Sequence, residues 1–229
     1  MAGINDLRLV QPQSLTAMVT DRLREAIIDG QFALGENISE DRLTSVFGVS
    51  RSPVRDALAA LQFTGLVEVR PKRGSFVFSP SLDDVAELCQ FRFMLEREAA
   101  RLAHAADRDV LIAAIETLIA TMERAEAAGD TRAYAQADTA FHTTFFDLCG
   151  NALVRNAYQL ADARIATLRT VLTAQYDERR RSSFDEHREM LAAFRADDLA
   201  TFETILHEHV DRTRRVASQQ LTSRREDTK

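Results

Sequence analysis

The hydrophobic pattern of the chain changes near Ser79 and Pro80. Before this point, short apolar stripes with helical spacing alternate with glycine and proline. After it, residues 81–223 contain no proline and only two glycines, and their apolar residues follow the helical period. The change predicts two domains, residues 1–79 and residues 80–229, in a mostly α-helical protein.

The first domain has the pattern of three helices followed by a two-stranded hairpin. The first helix is predicted to begin near Ser14 and to end at Gly30, and Ser39 and Ser50 are the expected N-caps of the second and third helices. The alternating apolar residues of 67–78 flank a basic turn that contains a glycine, which is typical of a hairpin. Helices joined by a short turn and followed by a basic hairpin predict a winged helix-turn-helix.

The second domain is predicted to be an all-helical bundle of about six helices, because it has long apolar stripes and no strand-like alternation. The predicted ranges are 82–105, 108–128, 130–149, 152–175, 179–196 and 198–222.

Composition narrows the possible function classes. The chain has a net charge of −6, and its two cysteines, Cys89 and Cys149, are far apart in sequence. A disulfide scaffold or a cysteine zinc site is therefore not expected, and we recognise neither a bilayer-spanning segment nor a secretion signal. These features favour a cytoplasmic protein without a membrane partner.

The basic residues of the first domain cluster around the third helix and the hairpin. Arg51 and Arg55 lie one turn apart at the start of the helix, opposite its apolar face, and Lys72 and Arg73 lie at the hairpin tip. Outward guanidinium groups in the first turn of a helix suit contacts with guanine or phosphate. The cluster indicates DNA binding, and for any one of these arginines a solvated face is the alternative.

In the second domain, polar residues occupy positions on or beside the apolar stripes of three helices. Asp138 and His142 lie four residues apart in one helix, and His187 and His209 lie on the inner stripes of the last two helices. A buried carboxylate is costly unless it is paired or bound to a metal. The four side chains predict a site for a divalent metal ion: zinc is the first expectation, and nickel, manganese and iron stay open. A hydrogen bond to the backbone is the alternative for any single histidine.

Arg92 lies in the middle of an apolar stripe and therefore needs an anionic partner. The partner is either Glu96, one turn away, or the carboxylate of a ligand held between Arg92 and the metal. Arg164 lies beside the stripe of the fourth helix of this domain and is a second candidate for the effector site, with a solvated position as the alternative.

The third helix and the hairpin resemble those of the GntR family of bacterial transcription regulators, over residues 49–58, 65–67 and 73–77. The DNA-contacting positions that the resemblance and the basic cluster together imply are Arg51, Ser52, Arg55, Lys72, Arg73 and Gly74. One departure concerns the second helix, where many members carry Arg-Glu-Leu and this chain has Asp41-Arg42-Leu43. The contact made from that arginine position is missing here unless Arg42 points the same way.

The second domain resembles the FCD effector domain of the FadR branch of the same family. This resemblance implies that Asp138, His142, His187 and His209 are metal ligands. The domain's pattern also includes Arg92 and Glu96. Six helices rather than seven favour the VanR-type subgroup.

The expected function is that of a homodimeric, DNA-binding transcription regulator and not of an enzyme, with a repressor as the first expectation. The expected partners are double-stranded operator DNA and a small organic acid as the effector. Two alternatives stay open: a metal-dependent enzyme with three histidines and one aspartate as ligands, and a DNA-binding protein whose helical domain only dimerises.

Overall fold

The computed structural model describes residues 14–173 and 177–226, with the side chains of 172–180 and 224–226 left out of the description. The described part of the first domain contains three helices and three short strands. In chain order they are α1 Leu15–Ile28, β1 Asn37–Ile38, α2 Glu40–Phe47, α3 Arg51–Phe63, β2 Val67–Arg70 and β3 Gly74–Val77.

The helix ends of this domain follow the predicted capping residues, with one exception. The Ser14 hydroxyl accepts a hydrogen bond from the Ala17 N–H at 3.1 Å, and Ser39 caps α2 in the same way. Ser50 occupies the N-cap position of α3, but its side chain makes no capping hydrogen bond. Gly48, in the left-handed region at φ 64°, provides the tight turn between α2 and α3.

The wing is a three-stranded sheet and not only the predicted hairpin. β2 and β3 pair antiparallel with Arg70 opposite Gly74, as expected for a turn at residues 71–73. The additional strand β1 pairs antiparallel with the other side of β3. Its two residues are too few to produce a recognisable alternation in the sequence.

The second domain is helical throughout its described residues. Its elements are α4 Leu82–Ala106, α5 Arg108–Ala128, α6 Thr131–Leu148, α7 Ala152–Gln159, α8 Asp162–Thr167, a π-helical turn Leu168–Thr173, α9 Asp177–Arg195 and α10 Leu199–Glu226. None of the described helices combines the length and the hydrophobicity that crossing a bilayer requires.

The predicted fourth helix of this domain, 152–175, is divided in the structure, and its last residues, 174–175, lie outside the described part of the chain. α7 packs on α6, where Tyr158 stacks on Phe146 with ring centroids 3.9 Å apart, whereas α8 packs on α1 of the first domain. A straight helix cannot satisfy both contacts, so the chain turns between them. The described residues therefore form seven α-helices in this domain, which removes the basis for favouring the VanR-type subgroup.

The divided region also forms the junction between the domains. The Thr170 hydroxyl, in the π-helical turn, donates a hydrogen bond to the Ile28 carbonyl at the end of α1, at 2.5 Å. Next to it, Arg132 at the start of α6 forms an ion pair with Asp29 at 2.8 Å. The end of α1 is thus attached to two elements of the helical domain.

Candidate metal centre and nucleic-acid interface

Three histidines from three helices converge in the middle of the second domain. His142 on α6, His187 on α9 and His209 on α10 are buried, and one ring nitrogen of each lies within 4.8 Å of those of the other two. Two ligands of one zinc ion lie at most about 4.2 Å apart, so a small adjustment of the rings would bring the three nitrogens to one ion. The structure thus brings together the three histidines that the stripe positions singled out.

Asp138, the fourth predicted ligand, lies beside this group on α6. Its Oδ1 is 3.7 Å from Nε2 of His187, and its Oδ2 is 3.5 Å from Nε of Arg169. Burial raises the pKa of Asp138, but the positive charge of Arg169 more than offsets this, and the pKa is lowered. The carboxylate is therefore ionised at neutral pH and is held between a histidine and an arginine.

Burial keeps the three histidines neutral. It lowers the pKa of His187 to about 4, and burial followed by the charge of Arg92 places the pKa values of His142 and His209 well below the usual range. A neutral imidazole is the form that binds metals. Both ring nitrogens of His187 and Nε2 of His209 are buried without a hydrogen-bond partner. Such unsatisfied nitrogens are rare in protein interiors, and they fit a site that accepts a divalent cation.

Two of the histidines have a glutamate beside them. Nδ1 of His209 donates to Oε2 of Glu186 at 2.7 Å, and Glu186 is held in turn by Arg212, whose Nε donates to Oε1 at 3.0 Å. Nδ1 of His142 lies 2.9 Å from Oε2 of Glu96. A carboxylate beside Nδ1 favours the tautomer that leaves the lone pair on Nε2, as in metal-binding histidines with a carboxylate partner.

Arg92 lies at the edge of the histidine group. The structure is compatible with both anionic partners considered above, Glu96 and the carboxylate of a ligand. Its Nε donates to Oε1 of Glu96 at 2.7 Å, so the intrahelical ion pair exists. One terminal nitrogen, Nη2, lies 2.9 Å from Nε2 of His142, and the other, Nη1, is buried without a hydrogen-bond partner. A cation bound by Nε2 of His142 would displace Nη2, and both terminal nitrogens would then be available to a carboxylate.

Arg164 lies outside this site, contrary to the prediction that it belongs to the effector group. It is at the junction of the domains, with its guanidinium carbon 5.9 Å from the centre of the Phe78 ring and close to Gly65. Another arginine of the same segment, Arg169, lies near Asp138. Its Nη2 donates to the Thr139 hydroxyl at 2.9 Å. Arg169 lies one helical turn after the buried Ile165 and is itself buried, so a position on the apolar side of this segment was the signal that could have identified it.

The predicted DNA-contacting residues are exposed on α3 and on the wing. Arg51, Ser52 and Arg55 are on the outer face of the first turns of α3, while Pro53 and Val54 between them are buried. Lys72, Arg73 and Gly74 form the exposed tip of the wing, with Lys72 at φ 62° and Gly74 at φ 105°. A Cβ atom at residue 74 would lie 3.0 Å from the Asn37 side-chain nitrogen, so this position requires glycine.

Comparison with known protein families agrees with both halves of this description. Residues 15–77 match the bacterial regulatory proteins of the gntR family, and residues 87–212 match the FCD domain. The chain belongs to the GntR family. Its helical half is the FCD domain that characterises the FadR branch, as the resemblance implied.

Individual members of the family cover most of the chain. The uncharacterised HTH-type transcriptional regulator YdhC of Bacillus subtilis is 28% identical over 186 residues, which are 81% of this chain and 83% of YdhC. The HTH-type transcriptional repressor NanR of Edwardsiella tarda is 26% identical over 219 residues, 87% of this chain and 84% of NanR.

Among solved structures, Escherichia coli McbR/YncC has the same fold with a TM-score of 0.78 and 22% identity, over 90% of this chain and 98% of that one. YdhC is named a transcriptional regulator and NanR a transcriptional repressor. The protein is accordingly a DNA-binding transcription regulator and not an enzyme, as predicted.

Proposed function

We propose that a small organic carboxylate, bound together with a divalent metal ion in the FCD domain, controls the affinity of this regulator for its operator. The observation that carries the proposal is the group of buried ring nitrogens without partners on His187 and His209, next to the unpaired Nη1 of Arg92. Such groups are costly to bury unless a ligand satisfies them.

The metal would be held by His142, His187, His209 and Asp138. Three neutral nitrogens and one ionised oxygen suit zinc, which is our first choice, as well as nickel, manganese and iron. When bound, the ion supplies positive charge and open coordination positions for an anionic ligand. Glu186 fixes the orientation of the His209 ring through a hydrogen bond, and Glu96 lies 2.9 Å from Nδ1 of His142.

The effector would be recognised by Arg92. Its terminal nitrogens offer two parallel N–H donors to a carboxylate once the metal has taken Nε2 of His142. The effector classes that we propose are sugar acids, hydroxy acids and dicarboxylates, because each has a carboxylate and at least one further oxygen. Arg169, next to Asp138, is positioned to contact a second acidic group.

The connection to the DNA-binding domain would run through the π-helical turn Leu168–Thr173. Arg169 in this turn faces Asp138, and the adjacent Thr170 is bonded to the end of α1. A ligand that moves Arg169 therefore changes the position at which α1 is held. Only an effector that binds one arrangement of the domains more tightly changes operator affinity. We also propose a homodimer, because two heads related by a two-fold axis match a palindromic operator.

Elemental analysis and a thermal-shift screen with organic acids test the proposal. We expect about one metal ion per chain, a lower melting temperature after chelation, and stabilisation by an acid only in the metal-loaded protein. Arg92→Lys keeps the positive charge but removes the two parallel N–H donors of the guanidinium group, so it should abolish the response to the acid and retain the metal. Arg164→Gln, at the domain junction, is the control and should retain both.

Two results would contradict the proposal. One is purified protein without metal that also fails to bind any divalent cation added to it. The other is a melting temperature and an acid response that chelation leaves unchanged. The latter would favour a helical domain that only dimerises.

A further inference from the structure

The two arginines at the start of α3 are each engaged by a carboxylate of the preceding helix. Nη2 of Arg51 donates to Oδ1 of Asp41 at 2.8 Å, and Nε of Arg55 donates to Oε2 of Glu40 at 2.8 Å. Both acidic residues belong to the first turn of α2. Two negative charges therefore lie on the face that is expected to approach the negatively charged DNA.

The stability of the fold does not explain both pairs. The side chains of Arg51 and Asp41 are 63% and 74% exposed, and ion pairs of that exposure contribute little to stability. Carboxylates in a first helical turn favour the positive end of the helix, but that effect does not require each of them to meet a different arginine of α3. The effect of the pairs is therefore expected in the recognition of DNA.

The two pairs use different parts of the guanidinium group. Arg55 is bonded through Nε, which leaves Nη1 and Nη2, the two donors of its outer edge, free of Glu40. These are the donors that contact O6 and N7 of guanine in a bidentate pair. Arg51 is bonded through one of its terminal nitrogens, so it cannot present the same edge unless it leaves Asp41.

From this difference we infer that Glu40 is a positioning residue that orients Arg55 for reading a base, whereas Asp41 restrains Arg51 and weakens binding to DNA of any sequence. This inference rests on DNA binding by α3. In the operator complex, Arg55 keeps Glu40 and adds the base. On other DNA, the oriented edge of Arg55 meets no matching guanine, and the negative charge of Glu40 opposes the phosphates. Arg51 loses the Asp41 pair on either kind of DNA.

Titrations of the full-length protein with two duplexes test the inference. One duplex carries the sequence that the wild-type protein selects from a random pool, and the other has a scrambled sequence; binding is followed by fluorescence anisotropy at several salt concentrations. The variants are Glu40→Gln and Asp41→Asn. The matched control is Glu98→Gln, which removes the same charge from an exposed ion pair with Arg101 in the helical domain.

We expect Glu40→Gln to lower the ratio of operator affinity to scrambled-duplex affinity by roughly tenfold, because one oriented base contact is lost. Asp41→Asn should strengthen binding to both duplexes and leave their ratio within about twofold, because Arg51 no longer has to give up an ion pair on either of them. In an Arg55→Ala background, Glu40→Gln should no longer change the ratio. The Glu98→Gln control should match the wild type.

The possible contrary results differ in meaning. An unchanged ratio in Glu40→Gln, or the same behaviour in Glu40→Gln and Asp41→Asn, would overturn the inference while DNA binding stands. A loss of operator affinity in Asp41→Asn without a change on the scrambled duplex would overturn it too, because Asp41 would then contact a base itself. A wild-type protein that binds neither duplex would reject DNA binding by α3 together with the inference.

Discussion

Acid should destabilise the metal-free protein through its buried histidines, and the contribution of His187 can be calculated. The pKa of His187 is about 4 in the folded protein and 6.5 in the reference state for the unfolded chain. Between these values the unfolded state binds a proton that the folded state does not, so stability is retained above pH 6.5 and is lost as the pH falls toward 4. From pH 7.5 to pH 5.0 the loss amounts to about 2 kcal/mol for this one group.

His142 and His209 contribute with the same sign, because their pKa values are also lowered by burial. The raised pKa of Glu96, which burial causes, acts in the opposite direction. A single substitution separates the contribution of His187 from these others. His187→Gln removes the titrating ring and replaces it with a neutral polar side chain.

The assay is urea unfolding of wild-type and His187→Gln protein at pH 7.5 and pH 5.0 in the presence of a chelator. Whatever the substitution costs at neutral pH, the loss of unfolding free energy on acidification should be smaller in the variant by about 2 kcal/mol. His207→Gln, which removes an exposed histidine, is the control and should behave as the wild type. An equal loss in wild type and His187→Gln would refute the argument that His187 is buried in the neutral form.

Three further predictions concern DNA, metal and coupling. Arg51→Ala and Arg55→Ala should each cost about 1–3 kcal/mol of operator binding in anisotropy titrations without lowering the melting temperature, and intact operator discrimination in both would reject α3 as the reading helix. Glu186→Gln should weaken metal binding by roughly 10–100-fold in a chelator competition, whereas the exposed Glu189→Gln on the same helix should not; equal affinities would contradict the orienting role. Thr170→Val should reduce the change of DNA affinity that the effector causes, with metal affinity retained, and a full response would place the coupling elsewhere.

The sequence alone determined the class of fold and singled out three histidines that the structure brings together. Capping residues such as Ser14 and Ser39 and the helical stripes depend on local geometry, so they identify elements without a structure. His142, His187 and His209 were recognisable because a polar residue on an apolar stripe needs a partner, and the structure buries all three together. The same reasoning named two candidate partners for Arg92, Glu96 and a ligand carboxylate, and Glu96 forms an ion pair with Arg92 in the structure.

Contacts between distant parts of the chain were decided only by the tertiary structure. The division of the predicted fourth helix follows from packing on two different neighbours, and in the divided segment Arg169, rather than Arg164, lies beside Asp138. Likewise, Asp41 on α2 pairs with Arg51 on α3. This contact depends on the geometry of the turn between the two helices, which the apolar stripe of neither helix specifies. Periodicity predicts which face of a helix points inward. The partner that an inward side chain contacts depends on how neighbouring helices are oriented relative to one another. That orientation is set by the close packing of the whole core.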